Sequence, residues 1–175
     1  LMQGLLRAVK NPWVSVSAAV VAAYVLSEEV GCIASVEGGS MQPTLNPAVN
    51  GKPRHEWVWV SKIGCKRFEY SRGDVVMLRS PTNPRRFLVK RVVAIPGDWV
   101  QLKGNKLFEV EKGHCWIEGD NAGNSIDSYR FGQVPLGLLE GRVTRVVFPF
   151  SSIRKIGAFE SQETRVLFKE EDIKE

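Results

Sequence analysis

Apolar and polar positions change their spacing several times along this chain, and each change predicts a different element. From Trp13 to Leu26 no charge interrupts the run, which predicts a helix of about 21 Å at ~1.5 Å per residue. Counting the mild flanks from Asn11 to Ser27 extends it to about 25 Å, marginal for a thin bilayer. Val30 to Val36 then reads as a strand. Residues 46–56 read as loop, and the polar segment from Asn50 to Glu56 within them as a mobile one. In Trp57-Val58-Trp59-Val60-Ser61-Lys62 the period becomes two, with both tryptophans on one face and both valines on the other. The tryptophans suit either a membrane interface or a core. Further strands are predicted from Val75 to Leu78, from Arg86 to Ile95, from Cys115 to Glu118 and from Gly141 to Phe148, where Pro149 stops the last. Val100–Leu102 and Leu107–Val110 flank Lys103-Gly104-Asn105-Lys106 as a hairpin. Asp74, Asp98 and Asp120 each follow a glycine at a strand boundary, which marks them as turn residues rather than acid catalysts. Short strands at this spacing predict a mainly β domain.

Composition narrows the class without fixing it. The 175 residues suit one domain with a fair core, and 43% hydrophobic with 25% charged residues is ordinary for a globular chain. The net charge of +5 is spread along the sequence, which favours anionic membrane surfaces over a nucleic-acid groove. No nucleic-acid-binding motif is visible, so no nucleic-acid partner is expected. Cys32, Cys65 and Cys115 are odd in number and widely spaced, giving neither a disulfide framework nor metal-ligand spacing, although one pair stays open. No metal and no cofactor are expected. Beyond Glu160 the chain is mostly charged, and a frayed helix or disorder is expected there. Arg7 and Lys10 precede the apolar run and Glu28 and Glu29 follow it. A signal-anchor with residues 1–10 on the matrix or cytosolic side fits that asymmetry, and a cleaved signal peptide or a buried helix competes with it.

The candidate chemistry lies in Glu37-Gly38-Gly39-Ser40-Met41-Gln42-Pro43-Thr44-Leu45. Two glycines permit a sharp corner and close approach by a second chain, and Pro43 stiffens the turn after the serine. Such a corner suits a nucleophile as well as a plain surface turn. A serine hydroxyl needs a base. His55 lies in the polar loop and His114 at the start of a strand, and both read as structural or solvated. Lys90 sits in Phe87-Leu88-Val89-Lys90-Arg91-Val92-Val93, where burial would lower its pKa; a solvated lysine on an outer strand face is the bland alternative. The requirement is steep, because a lysine near pKa 10.4 is neutral at pH 7 in only about one molecule in 2,500.

Ser40-Met41-x-Pro43-Thr44-Leu45, Gly73-Asp74-Val75-Val76, Lys90-Arg91-Val92-x-x-x-Pro96-Gly97-Asp98 and Gly119-Asp120-Asn121-x-x-x-Ser125-x-Asp127-Ser128-x-x-x-Gly132 stand in that order. Together they resemble the four boxes of type I signal peptidases, over about Val30 to Val147. Within that family, Ser40-Met41-Gln42-Pro43 with Asn46-Pro47, and the run from Gly113 to Asn121, are most similar to the mitochondrial inner-membrane members. The resemblance implies that Ser40 is the nucleophile and a neutral Lys90 the general base. It implies that the Ser125 hydroxyl orients the amine and that Asp127 pairs with Arg91. The Ser40 N–H would be one oxyanion donor. Many bacterial members place a serine where this chain has Gly38, which leaves the second donor open, and Tyr129 replaces an arginine common in bacterial relatives.

The implied fold is mainly β, a signal-peptidase-like coiled sheet with one N-terminal membrane-anchor helix. Residues 1–29 would be tail and anchor, 30–158 the catalytic β domain, and 159–175 a charged tail. The implied activity is removal of sorting sequences from precursor proteins by a membrane-bound serine endopeptidase. It would sit in the inner mitochondrial membrane, face the intermembrane space and pair with a homologous protease subunit. The corner's glycines suggest shallow pockets and small substrate residues before the cut. Alternatives are a bacterial or plastid signal peptidase and a catalytically silent, membrane-anchored peptide-binding β module. An endoplasmic-reticulum type would carry histidine in place of Lys90, and a self-cleaving repressor would carry a DNA-binding domain in place of residues 1–29.

Overall fold

The computed structural model describes residues 12–49, 52–102, 104–157 and 166–167. Helix α1, Pro12–Glu29, forms over the predicted apolar run. Trp13, Val20, Val21 and Tyr24 on it are exposed. No helix among the described residues is long and apolar enough to cross a membrane. The expected anchor span is therefore unsupported: α1 has 18 residues and closes on Glu28 and Glu29, so charge shortens its apolar stretch. Residues 1–11, the predicted basic tail, lie outside the described residues.

The chain then makes β1 (Gly31–Val36), β2 (Ala48–Val49), β3 (Lys52–Pro53), β4 (Glu56–Ser61), β5 (Val75–Arg79), β6 (Phe87–Ala94) and β7 (Trp99–Gln101). After these come β8 (Leu107–Glu109), β9 (His114–Glu118), the one-turn helix α2 (Ser128–Phe131), β10 (Val134–Pro135), β11 (Leu139–Phe148), β12 (Arg154–Lys155) and β13 (Val166–Leu167). The main sheet has eight strands in the order β1-β4-β11-β5-β6-β9-β10, with β12 paired to β11. Its pairings are antiparallel throughout. Strand β6, which carries Lys90, is interior, between β5 and β9, so its backbone groups are matched on both edges.

Alternation along β4 decides where the core lies. Val58 and Val60 are fully buried, whereas Trp57 is nearly half exposed, so the tryptophans face outward rather than pack in the core. Val36, Met41, Leu45, Val58, Val60, Val75, Val143 and Val146 form the cluster beneath the nucleophile corner. Met41 and Leu45 fasten that corner to the sheet, each contributing roughly 2 kcal/mol by burial. A second cluster joins Val76, Leu78, Val92, Cys115, Ile117 and Val134. The third, Ala94, Val100, Val110 and Trp116, lies under the hairpin of β7 and β8. That hairpin forms as predicted, with Val100 opposite Phe108 and positive φ at Gly104 and Asn105.

Two expectations need correction. Residues 46–56 are not simply a loop, because Ala48 pairs with Pro53, Val49 pairs with Lys52, and Glu56 opens β4. In the charged tail, Val166 and Leu167 pair with Val100 and Trp99, so two apolar residues make a strand where disorder was expected. The rest of residues 158–175 lies outside the described residues. All three thiols are free. Cys115 is buried, which pushes its thiol up to about 12.

Candidate active site

Ser40 follows β1 at a corner that the backbone itself ties down. Gly38 has φ of 81°, a region that favours glycine, so a serine at that position would be strained. The Gly39 carbonyl accepts from the Gln42 N–H at 3.2 Å and the Leu45 N–H donates to the Met41 carbonyl at 2.8 Å, which closes the turn. Ser40 opens onto a cavity of about 570 Å³ lined by Ala34, Val36, Gly38, Met41, Met77 and Val89, among others. The walls mix apolar side chains, Phe87 and Leu88 among them, with polar and charged ones, including Glu37, Lys62 and an Arg79–Glu140 ion pair of 2.6 Å.

Lys90 is 2% exposed, and its Nζ donates to Ser125 Oγ at 3.1 Å. Burial pulls the amine below the ordinary lysine value of 10.5, opposed first by the charge of Asp127 and then by that of Asp120. The bland expectation of a solvated lysine therefore does not hold. Gly119 brings the two halves of the site together. A Cβ on it would collide with Ser125 Oγ and lie 2.5 Å from the Ser40 carbonyl oxygen, so the nucleophile's own backbone and the hydroxyl that holds the lysine meet beside one glycine.

The expected pairing of Arg91 with Asp127 is corrected by the geometry. Arg91, 1% exposed, places Nε 2.8 Å and Nη2 2.7 Å from the two carboxylate oxygens of Asp120. It also donates to the Gly73 carbonyl at 2.6 Å and reaches Thr44 Oγ1 at 3.4 Å. Asp127 instead accepts from the backbone N–H groups of Gly119 (3.1 Å) and Tyr129 (3.2 Å), capping α2. A carboxylate two residues from Ser125 is thus used to fix the Ser125 loop. In the three Gly-Asp turns Asp74 accepts from the Ser71 N–H and Asp98 from the Ile95 N–H, as read. None of the three stops at a turn role: Asp74 meets Arg142 at 2.9 Å, buried Asp98 meets Arg72 at 2.8 and 2.6 Å, and Asp120 meets Arg91. Tyr129 sits edge-on to Trp116 with ring centroids 5.6 Å apart. His55 is exposed, and His114 contacts the Lys112 carbonyl at 3.4 Å; neither lines the Ser40 cavity.

Two groups of residues escaped the sequence reading. Asn121 donates its backbone N–H to the Ser40 carbonyl and its side-chain amide to the Gly39 carbonyl, each at 3.0 Å. Behind the corner, buried Asn46 donates its side-chain amide to the carbonyls of Val36 (2.8 Å) and Gly38 (3.1 Å). Its backbone N–H meets Glu56, and Glu56 is bound by Arg154 at 2.7 and 2.9 Å. Asn121 adjoins the box aspartate, and Asn46 precedes a proline; only those neighbours pointed to either residue.

A family model described as signal peptidase, peptidase S26, matches residues 9–108, which include Ser40 and Lys90. The mitochondrial inner membrane protease subunit 2 of Mus musculus is 44% identical over 133 residues, 75% of each chain. The Saccharomyces cerevisiae protein of the same name is 39% identical over 128 residues, 71% of this chain and 72% of that one. A mitochondrial ATP-independent inner membrane protease subunit 1b of Arabidopsis thaliana is 36% identical over 141 residues, 77% of this chain and 80% of that one. A solved signal peptidase I from Enterococcus faecalis aligns with a TM-score of 0.39 and 22% identity, over 43% of this chain and 97% of that one.

Proposed function

The chain belongs to the signal peptidase family, peptidase S26, and from that membership we propose that it is a membrane-associated serine endopeptidase that removes sorting sequences from mitochondrial precursor proteins. Ser40 is the nucleophile and Lys90 the general base. The observation that carries this reading is the buried Lys90 amine, held at 3.1 Å by Ser125 Oγ within the same glycine-walled site as the Ser40 backbone.

The chemistry follows from that environment. A desolvated amine favours its neutral form, and only the neutral form can take the Ser40 proton. As Ser40 Oγ bonds to the scissile carbonyl carbon, its proton passes to Lys90 Nζ and the carbonyl oxygen becomes an oxyanion. Collapse of that intermediate expels the amine of the downstream segment, which takes the proton from the lysine. Water then hydrolyses the acyl-enzyme with Lys90 again as base. Ser125 keeps the amine aimed, and Asp127 keeps Ser125 in place. The substrate lies along β1, whose outer edge is free in the main sheet, by main-chain pairing. The shallow walls around Ala34, Gly38 and Val36 suit small residues before the cut.

By similarity to relatives named as inner membrane protease subunits, the protein works at the inner mitochondrial membrane beside a homologous subunit. Residues 1–29 anchor it, and the β domain of 30–158 faces the intermembrane space. The test is precursor cleavage together with labelling by a serine-directed acylating inhibitor. Ser40→Ala and Lys90→Met each abolish cleavage in a folded protein, and Ser40→Ala loses the label. Full cleavage by purified Lys90→Met would end the dyad assignment.

A further inference from the structure

Two peptide planes meet at Ser40, and one distant residue holds a carbonyl of each. Asn121 donates its side-chain Nδ2 to the Gly39 carbonyl and its backbone N–H to the Ser40 carbonyl, each at 3.0 Å. The grip comes from the loop after β9, a separate segment of the chain, and that loop is itself held where it touches the corner. Asp120, the residue before Asn121, is clamped by Arg91 through bonds of 2.8 and 2.7 Å. The Asn121 carbonyl accepts from the Asn124 N–H at 3.0 Å, which closes the turn that follows. Gly119 packs so closely that a Cβ on it would stand 2.5 Å from the Ser40 carbonyl oxygen.

The Ser40 N–H lies in the same plane as the Gly39 carbonyl. That peptide is trans, so its N–H and C=O point in opposite directions. A bond that fixes the carbonyl therefore fixes the N–H and turns it away from Asn121. The N–H has no hydrogen-bond partner among the described residues, and Ser40 lines the cavity. A donor to an oxyanion is worth most when its direction is set before the charge appears. Gly38 carries no hydroxyl to share that task, so the aim of this one N–H weighs more. We infer that the Asn121 side chain is a positioning residue, which aims the Ser40 N–H at the scissile carbonyl oxygen as charge develops there. This rests on the reading of Ser40 as the nucleophile. The Gln42 N–H also donates to the Gly39 carbonyl, at 3.2 Å, so the corner keeps its own turn when the Asn121 amide is lost. The backbone bond from Asn121 to Ser40 likewise survives a change of side chain, which isolates the aim of one peptide plane from the docking of the loop.

The experiment uses the full chain and a fluorogenic peptide with small residues before the cut, comparing wild type with Asn121→Ala and Asn121→Ser. Both variants are expected to lose kcat by roughly 10–100-fold with KM changed by less than about threefold, the loss due to a misdirected rather than a deleted donor. A peptide aldehyde, whose adduct with Ser40 bears the same oxygen, should lose affinity in step with kcat/KM, while an uncleavable peptide of the same sequence binds as it does to wild type. A group that only held the fold would weaken both ligands alike. The acid limb of the pH–rate profile should stay in place, because burial, Asp127 and Asp120 set the Lys90 amine and Asn121 does not. Unfolding temperature is followed for both variants. Serine suits a turn and keeps the loop closed if alanine opens it, while its shorter side chain falls short of the Gly39 carbonyl. Wild-type kcat retained within about threefold in a folded variant, or equal losses of affinity for aldehyde and uncleavable peptide, overturns the inference. Cleavage by Ser40→Ala, run alongside, would mean instead that the parent reading has failed.

Discussion

Replacing Asp120 by asparagine should move stability and the pH–rate profile in ways that only the observed pairing predicts. The side chains of Arg91 and Asp120 are 1% and 8% exposed and meet through two bonds of 2.8 and 2.7 Å. Asparagine keeps the shape but leaves a buried guanidinium without its counter-charge. Breaking a buried pair from one side costs about 3–5 kcal/mol, since the remaining charge is desolvated and uncompensated. At about 2–4 °C per kcal/mol for a chain of this size, calorimetry should show a drop of roughly 6–20 °C. Asp120 also holds the Lys90 pKa up against burial, so its loss should let that pKa fall further. The base then stays neutral to lower pH, and the acid limb of kcat/KM shifts downward. The double variant Arg91→Met/Asp120→Asn should recover most of the stability, because no charge is left stranded. A folded Asp120→Asn whose acid limb stays put or rises, or whose stability changes by less than about 1 kcal/mol, would refute the reasoning.

Lys90→Met should be more stable than wild type by differential scanning fluorimetry at neutral pH. The folded pKa of Lys90 is lowered, so the charged form burdens the folded state fully below that folded value, and the burden fades as pH rises toward 10.5. The advantage of the methionine variant should accordingly be greatest at low pH and shrink on the alkaline side; an advantage that grows with pH would contradict the sign. Gly119→Ala should lose cleavage about 100-fold or more and about 1–3 kcal/mol of stability, because its methyl has to displace Ser125 Oγ and the Ser40 backbone. Near-normal turnover would mean that the two loops are not held at that glycine. Glu56→Gln should cost about 1.5–3 kcal/mol by denaturant titration, since Arg154, partly exposed, loses its charged partner and Asn46 part of its anchor behind the corner. A loss under about 1 kcal/mol would show that the corner does not depend on that pair.

Period-two runs made the strands legible because each has one face in a core: Val58 and Val60 on β4 show the alternation in both sequence and burial. The serine corner, the lysine strand and the hairpin at Gly104 could be placed for the same local reasons. The failures all depended on contacts between distant segments. Asp120 and Asp127 are both carboxylates near Ser125 in sequence, and nothing local says which of them meets Arg91; the partner is set by how β6 crosses the Gly119–Asp127 loop. Asn46 looked like part of a polar loop because its bonds run back to Val36 and Gly38 and across to Glu56. The apolar run after Trp13 gave a helix as predicted, but two glutamates at its end fall within that helix and shorten its apolar length.

The whole mechanism depends on an interior lysine that holds its amine neutral enough to accept a proton. The most direct measurement is a titration of the Lys90 Cε and Nζ resonances by NMR in folded Ser40→Ala, with selectively labelled lysine and Lys90→Met for assignment. The midpoint should lie clearly below the ordinary lysine value of 10.5, with a further fall in Asp120→Asn. A midpoint at or above 10.5 would contradict the assignment of Lys90 as the base.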